Sequence, residues 1–205
     1  MSRLCQIAAR PVRCVNLSFV MDQTEVAARL ERFEDRIHYM YRCTGGEVTV
    51  GIGHAIHSAA EASRLTWAGG ADSVEADFAA VAAEPKGFKA SHYESLTSAR
   101  MSDDAIDKLL ADDMAGFTRQ LEDTFPSWST FPAPAQAALF DLAYNLGIGG
   151  LNKFPKMLAA VDAGDWVTAA RESHRRDIAE ERNQEIADLF RQAASSRQRA
   201  GSGIG

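Results

Sequence analysis

Between residues 22 and 54 the hydrophobic period changes, and that change limits what this chain can fold into. Behind Asp22 and Glu25, a capping-box pair, Val26, Leu30 and Phe33 recur at helical spacing. From Ile37 the period becomes two: Ile37, Tyr39 and Tyr41 alternate with His38, Met40 and Arg42. Thr44-Gly45-Gly46-Glu47 signals a turn, after which Val48, Val50 and Ile52 alternate on a returning strand. A helix therefore runs directly into a β-hairpin.

From Ser102 the pattern is helical. Ser102 caps a helix over residues 103–115, and a second, over 133–146, follows Pro132 and Pro134 and stops at Gly147. A third covers 155–163 ahead of Gly164, Asp165 caps a fourth over 166–176, and a fifth spans about 179–194. Residues 58–100 carry Gly69-Gly70, Pro85, Gly87 and a Ser/Thr-rich run, which predicts one or two helices among long loops. The expected architecture is α+β. One domain spans residues 22–194, with a small β-hairpin lobe at about 35–57, a middle insertion at 58–100, and a larger, mostly helical lobe at about 102–194, with a cleft between the lobes. An N-terminal arm (1–21), in which Val15-Asn16-Leu17-Ser18-Phe19 alternates weakly, and a flexible tail (195–205) complete it.

A chain of 205 residues, 46% hydrophobic and 24% charged, is long enough to bury one sizeable core. The net charge of −6 argues against a nucleic-acid binder, whose affinity comes largely from neutralising phosphates. No apolar stretch nears the roughly 20 residues that insertion across a membrane needs. The N-terminus has no continuous apolar core of a signal peptide, and Cys5, Cys14 and Cys43 are too few and too odd in number for a disulfide framework. Both features suit synthesis in the reducing cytoplasm.

The most informative residues are Glu34 at the helix end, Cys43 at the hairpin turn and Thr49 on the returning strand. Alone, each is ordinary: a solvated charge, a small packing residue, a strand residue. A hairpin folding back over a helix end aims all three into a groove between lobes, where binding sites concentrate. Gly51 and Gly53 are no phosphate loop, because neither a helix start nor Lys-Ser/Thr follows; their place is to let the strand bend closely past the cleft. His54 reads as a buried, hydrogen-bonded structural histidine. Trp67, Trp128 and Trp166 read as core, with Trp67 the one that could instead meet a carbohydrate.

Here the sequence resembles the phage-type lysozymes, glycoside hydrolase family 24, and the related bacteriocin-like and type VI secretion effector muramidases. Their signature is a Glu, eight residues, an Asp or Cys, five residues, then a Thr that opens a T-[IV]-G-x-G-H strand. Glu34, Cys43 and Thr49 stand at that spacing, and Thr49-Val50-Gly51-Ile52-Gly53-His54 reproduces the strand. Gln136-Ala137-Ala138-Leu139 through Ala143-Tyr144-Asn145-Leu146-Gly147 is similar to the family's core helix, and Gly164-Asp165-Trp166 continues the likeness. Arg182 lies where the family places an arginine that pairs with the catalytic Glu, with Arg175 and Arg176 as rivals a few residues away. The chain departs from the pattern at Asp35, commonly Gly, at Cys43, the less common alternative to Asp, and in the long 58–100 segment.

The resemblance implies a lysozyme-like fold and cleavage of the β-1,4 bond between N-acetylmuramic acid and N-acetylglucosamine in peptidoglycan, with no metal and no cofactor. Glycosidases of this kind deliver a proton to the leaving oxygen and place a second group on the opposite face of the sugar. Glu34 is the expected acid. Thr49 would hold the attacking water, Cys43 would assist that water or attack the anomeric carbon, and Tyr144 and Asn145 would contact the saccharide. Because peptidoglycan lies outside the cytoplasm, the enzyme would act in the periplasm after holin release or after injection through secretion machinery. An injected toxin needs a cognate immunity protein, and the long middle segment and the Arg182-Asn183 to Phe190 ending tilt toward that reading. Two rival classes stand beside it. One is a cysteine amidase or peptidase using Cys43 with His54 or His57 (or a zinc site from the same three), and the other is a non-catalytic glycan-binding relative.

Overall fold

The computed structural model describes residues 21–69, 71–176 and 178–201. The weak alternation at 15–19, Cys5, Cys14 and the last four residues lie outside that range. The architecture is α+β, as expected. Helix α1 (Gln23–Glu34) starts where Asp22 accepts the backbone N–H groups of Thr24 and Glu25, and it buries Val26 and Leu30. Strand β1 (Ile37–Arg42) and β2 (Val48–Gly51) form the hairpin, with Tyr41 opposite Thr49 and Arg42 opposite Val48.

The hairpin departs from the sequence expectation. The returning strand does not continue through residue 54: it stops at Gly51, turns, and re-enters the sheet as a third antiparallel strand, β3 (His54–Ile56). Gly51 (φ +65°) and Gly53 (φ +77°) adopt backbone conformations that L side chains rarely hold, and they make this turn possible. An unbroken alternation of apolar residues hides such a turn.

The long 58–100 segment closes on itself. It holds α2 (Ala59–Ala62), α3 (Val74–Ala83) and two later 3-10 turns, and its ends meet where Ala68 and Arg100 pair backbone groups at 2.7 Å. Asp77, buried, accepts the N–H groups of Ser98 and Ala99 at 2.7 Å each, which pins the returning chain to α3. Helix α3 packs on β1 and β2, so the segment backs the sheet.

The helical part starts with α4 (Asp103–Thr124), capped by Ser102 as expected but running well past residue 115, because Leu121 continues its buried stripe. Helix α5 (Ala133–Leu151) is buried without a break from Ala135 to Ala143, and it packs against α1, α4 and α8. At Gly147 (φ +68°, ψ 161°) it kinks, so the expected stop is a bend after which helix resumes. Helices α6 (Pro155–Asp162) and α7 (Trp166–Glu172) follow, α7 ending short of the expected residue 176. Helix α8 (Glu180–Gly201) runs on through residues 195–201, where the flexible tail was expected to begin: Ala193 is fully buried, and Ser195 and Ser196 bond back to the carbonyls of Arg191 and Gln192. A Ser/Arg composition reads as mobile in sequence, yet serine hydroxyls of this kind sit on a helix already anchored by tertiary packing.

Helix α1 ends on Asp35, the one non-glycine residue with positive φ among those described (φ 58°, ψ 166°). That region is essentially confined to glycine, and occupying it with a side chain costs about 1–3 kcal/mol. This is the physical reason a glycine suits the place. Asp35→Gly should therefore stabilise the fold by about 1 kcal/mol, net of the flexibility gained by the unfolded chain, and raise the melting temperature by about 2–4 °C. A thermal melt that moves down would show the conformation is not strained.

Candidate active site

Glu34 is the last residue of α1, and its carboxylate meets α8. Arg182 donates from Nη1 to Glu34 Oε1 at 2.6 Å, so Arg182, rather than Arg175 or Arg176, is the arginine that reaches it. The same guanidinium donates to Asp141 on α5 from Nε (3.1 Å) and Nη2 (3.3 Å) and lies over the Phe33 ring at 5.1 Å. Burial works against the charge on Arg182, but Asp141 and Glu34 more than offset it and hold its pKa above the ordinary arginine value. Arg175 shifts the other way: burial, with repulsion from Arg182, outweighs its attraction to Asp141.

The β2–β3 turn presses on the other side of Glu34. A Cβ at Gly53 would stand 3.3 Å from Glu34 Cγ, 3.4 Å from its Oε2 and 3.4 Å from Tyr144 Cε1, close enough that the Glu34 side chain would have to give way slightly. Tyr144 ties this turn to α5 by donating its hydroxyl to the Ile52 carbonyl, and its ring packs on Phe117 and Phe140. Burial first, then the negative groups Asp113 and Glu34, raise the Tyr144 hydroxyl far above the phenolic range, so it stays a donor. The expected saccharide contacts thus already have partners. Tyr144 holds the turn, and Asn145 Oδ1 accepts from Arg175 Nη1 at 3.0 Å.

Cys43 and Thr49 lie across the sheet from this corner. Cys43 is a half-buried free thiol at the base of the hairpin, its backbone paired with Glu47 and Gly46. Thr49 is buried and gives its hydroxyl proton to the Glu47 carbonyl at 3.1 Å, which leaves the oxygen as an acceptor, the sense in which it could orient a water. Tyr41 connects the parts. It is the cross-strand partner of Thr49, and after burial itself, the nearby Glu34, Cys43 and Asp35 are what raise its hydroxyl far above the ordinary range. The structure therefore brings Glu34, Cys43 and Thr49 around one tyrosine.

His54 pairs with an acid of the helical part. Its Nδ1 lies 2.9 Å from Asp113 on α4, both side chains largely buried, which ties β3 to the helical part. No hydrogen bond joins the Cys43 thiol to His54 or His57 among the described residues, and His57 is exposed. No group of three or more His, Cys, Asp or Glu side chains among them is arranged to hold a metal ion. Trp128 and Trp166 are buried, and Trp67 is half-buried with its indole N–H on the Ala62 carbonyl.

Sequence reasoning missed Asp141, Tyr41 and Asp113. The signal for Tyr41 was its period-two relation to Cys43; for Asp141 it was an acid inside an otherwise apolar helical run.

The family model for phage lysozymes matches residues 31–195, most of the chain and all of the site. The chain belongs to the phage lysozyme family. Its α+β form is the lysozyme-like fold, and with the family comes its general chemistry, glycosidic cleavage of peptidoglycan. Among curated proteins no match is found.

Gly53→Ala should keep the fold, at a cost of about 1–2 kcal/mol for the positive φ, yet displace the Glu34 carboxyl. A misplacement of about 1 Å can cost ~10²-fold in rate, so the smaller shift these contacts demand should lower turnover by less than that. Turnover on peptidoglycan, compared with circular dichroism of the same variant, checks this; full activity would mean the turn does not position Glu34.

Proposed function

We propose that this lysozyme is a muramidase that hydrolyses the β-1,4 bond between N-acetylmuramic acid and N-acetylglucosamine, with Glu34 as general acid. The observation that carries the reading is the confinement of one carboxyl between the Arg182 guanidinium and the Gly53 turn. The Glu34 side chain keeps 23% of its surface exposed, and a substrate oxygen would approach there. Glu34 protonates the leaving oxygen as the bond to the anomeric carbon breaks. Thr49 accepts a hydrogen bond from the attacking water, and Cys43 assists that water on the opposite face of the ring. Tyr144 and Asn145, engaged by Ile52 and Arg175, serve this reading as supports of the site, and any contact with the sugar is secondary to that.

The cysteine amidase alternative loses support because, although Asp113 holds His54 Nδ1 as an orienting acid would, His54 Nε2 is buried without a partner and no hydrogen bond joins it to the Cys43 thiol among the described residues. A glycan-binding relative without activity would have no use for an arginine aimed at Glu34. Glu34→Gln separates the readings. The amide keeps the shape and loses the proton, so release of reducing ends from peptidoglycan should fall by about 10²–10⁴-fold in a folded variant. New free amines from the wild type would indicate an amidase, and neither product a binder.

For biological setting, we favour a bacteriolytic effector delivered into the periplasm of a target cell, its producer guarded by a cognate immunity protein, over a phage endolysin released through holin lesions. The preference rests on the likeness of the long 58–100 segment and of the Arg182-Asn183 to Phe190 ending to effector muramidases. The wild type should then lyse cells when directed to the periplasm and spare them from the cytoplasm, and Glu34→Gln should be harmless in both.

Cys43 decides the stereochemistry. Covalent attack needs a thiolate, whereas orienting the water asks only for a hydrogen bond from Cys43, so the water-assisting role asks less of it. Cys43→Asp should retain most activity, whereas Cys43→Ala should lose about 10²-fold or more. The first product, followed by NMR on a soluble glycan fragment, should be the α-anomer; a β-anomer would mean double displacement.

A further inference from the structure

The arginine at Glu34 is itself held by a buried charge cluster. Asp141, 1% exposed, takes Arg182 on both oxygens and also receives Arg175 Nη1 on Oδ1 at 3.5 Å. Arg175 is 4% exposed, fixed through its Nε and its backbone N–H by Asn183 Oδ1 at 3.2 Å each, and its buried Nη2 has no partner. With Glu34 ionised, two guanidinium groups balance two carboxylates. With Glu34 protonated, as an acid must be, the cluster carries one excess positive charge. A buried positive excess opposes protonation, and Asp141 keeps that excess from being larger.

We propose that Asp141 and Arg175 are opposed positioning residues acting through Arg182: Asp141 loosens the hold of Arg182 on the ionised Glu34 carboxylate, Arg175 restores part of it, and their balance sets the upper pH limit of glycan cleavage. The statement rests on Glu34 being the acid. Cleavage moves the Glu34 proton to the leaving oxygen; water adds hydroxide to the anomeric carbon and gives its other proton to solvent, from which Glu34 is recharged. Whatever charge surrounds Glu34 acts on that recharging step.

The other groups facing Glu34 do not blur the test. From α5, Tyr144 stays neutral, as does Tyr41 from β1, both because burial keeps them protonated. Asp35, next in the chain, is exposed and screened by water, and Cys43, at the hairpin turn, is the same in all four proteins compared. Arg182, Asp141 and Arg175 remain as the buried charges of the cluster.

The experiment compares wild type, Asp141→Asn, Arg175→Gln and the double variant. Two readouts are followed: kcat against pH on a soluble glycan, and titration of the Glu34 carboxyl by carbon-13 NMR. Asparagine keeps the volume and an acceptor for Arg182. Asp141→Asn should move the basic limb of activity, and the carboxyl titration with it, down by about one pH unit. Arg175→Gln should move both up by a smaller step, and the double variant should fall between Asp141→Asn and the wild type. A merely structural role would lower activity without moving the limb. Unmoved titrations, or both single variants shifting the same way, overturn the proposal. If Asp141→Asn does not fold, the upward shift in Arg175→Gln decides alone. Should the carboxyl titrate as stated while the activity limb stays in place, the charge coupling holds and Glu34 is not the acid.

Discussion

One guanidinium joins three helices that are distant in the chain. Arg182 reaches from α8 to Glu34 at the end of α1 and to Asp141 in the middle of α5. Burying such a charge forfeits several kcal/mol of hydration, and ion pairs often only break even against that loss. An arginine is therefore a poor choice for stability at this position, and a hydrocarbon would fill the space at lower cost. What the arginine does that a hydrocarbon cannot is hold a carboxylate at a helix C-terminus, where the partial charges of free carbonyls repel it. The arrangement makes chemical sense around Glu34 and little sense without it.

The opposite wall of the site depends on backbone geometry instead of charge. Two glycines at positive φ turn the chain from β2 into β3, and the missing side chain of Gly53 is what lets Glu34 and Tyr144 come together. The turn is then tied down twice, by the Tyr144 hydroxyl on the Ile52 carbonyl and by His54 on Asp113. Both ties end on helices of the larger part, α5 and α4. The sheet is thus fixed relative to the carboxylate it serves, and the backing by α3 holds it from the far side.

Much of this was legible in the sequence. The helix-to-hairpin switch, the caps at Asp22, Ser102 and Asp165, and the Glu34–Cys43–Thr49 spacing all have local causes, and local causes leave local patterns. Gly51 and Gly53 were read as a close bend, but the third strand was not, since Val50 and Ile52 keep alternating across the turn. Helix α8 outruns its composition because packing of Ala193 overrides a Ser/Arg-rich stretch that has no apolar period of its own. The partners of the site were the least visible. Asp141 looks like a misplaced acid in an apolar helix until Arg182 and Arg175, more than thirty residues on, are brought beside it. No periodicity encodes a contact of that range.

The places where local rules are broken gather around the same carboxylate. Asp35 occupies a conformation suited to glycine, one residue after Glu34. Asp141 is buried between two arginines, and Arg175 keeps an unpartnered N–H group in the interior. By contrast α5, from Ala135 to Ala143, obeys the rules of a buried helix at nearly every position, Asp141 and Gln136 being its polar residues. Gln136 is satisfied by backbone groups of Met21 and Trp128, an ordinary structural role. Asp141 has only charged partners. A fold that is consistent elsewhere tolerates such exceptions where they do work that packing cannot, and here each one bears on the charge or the placement of Glu34.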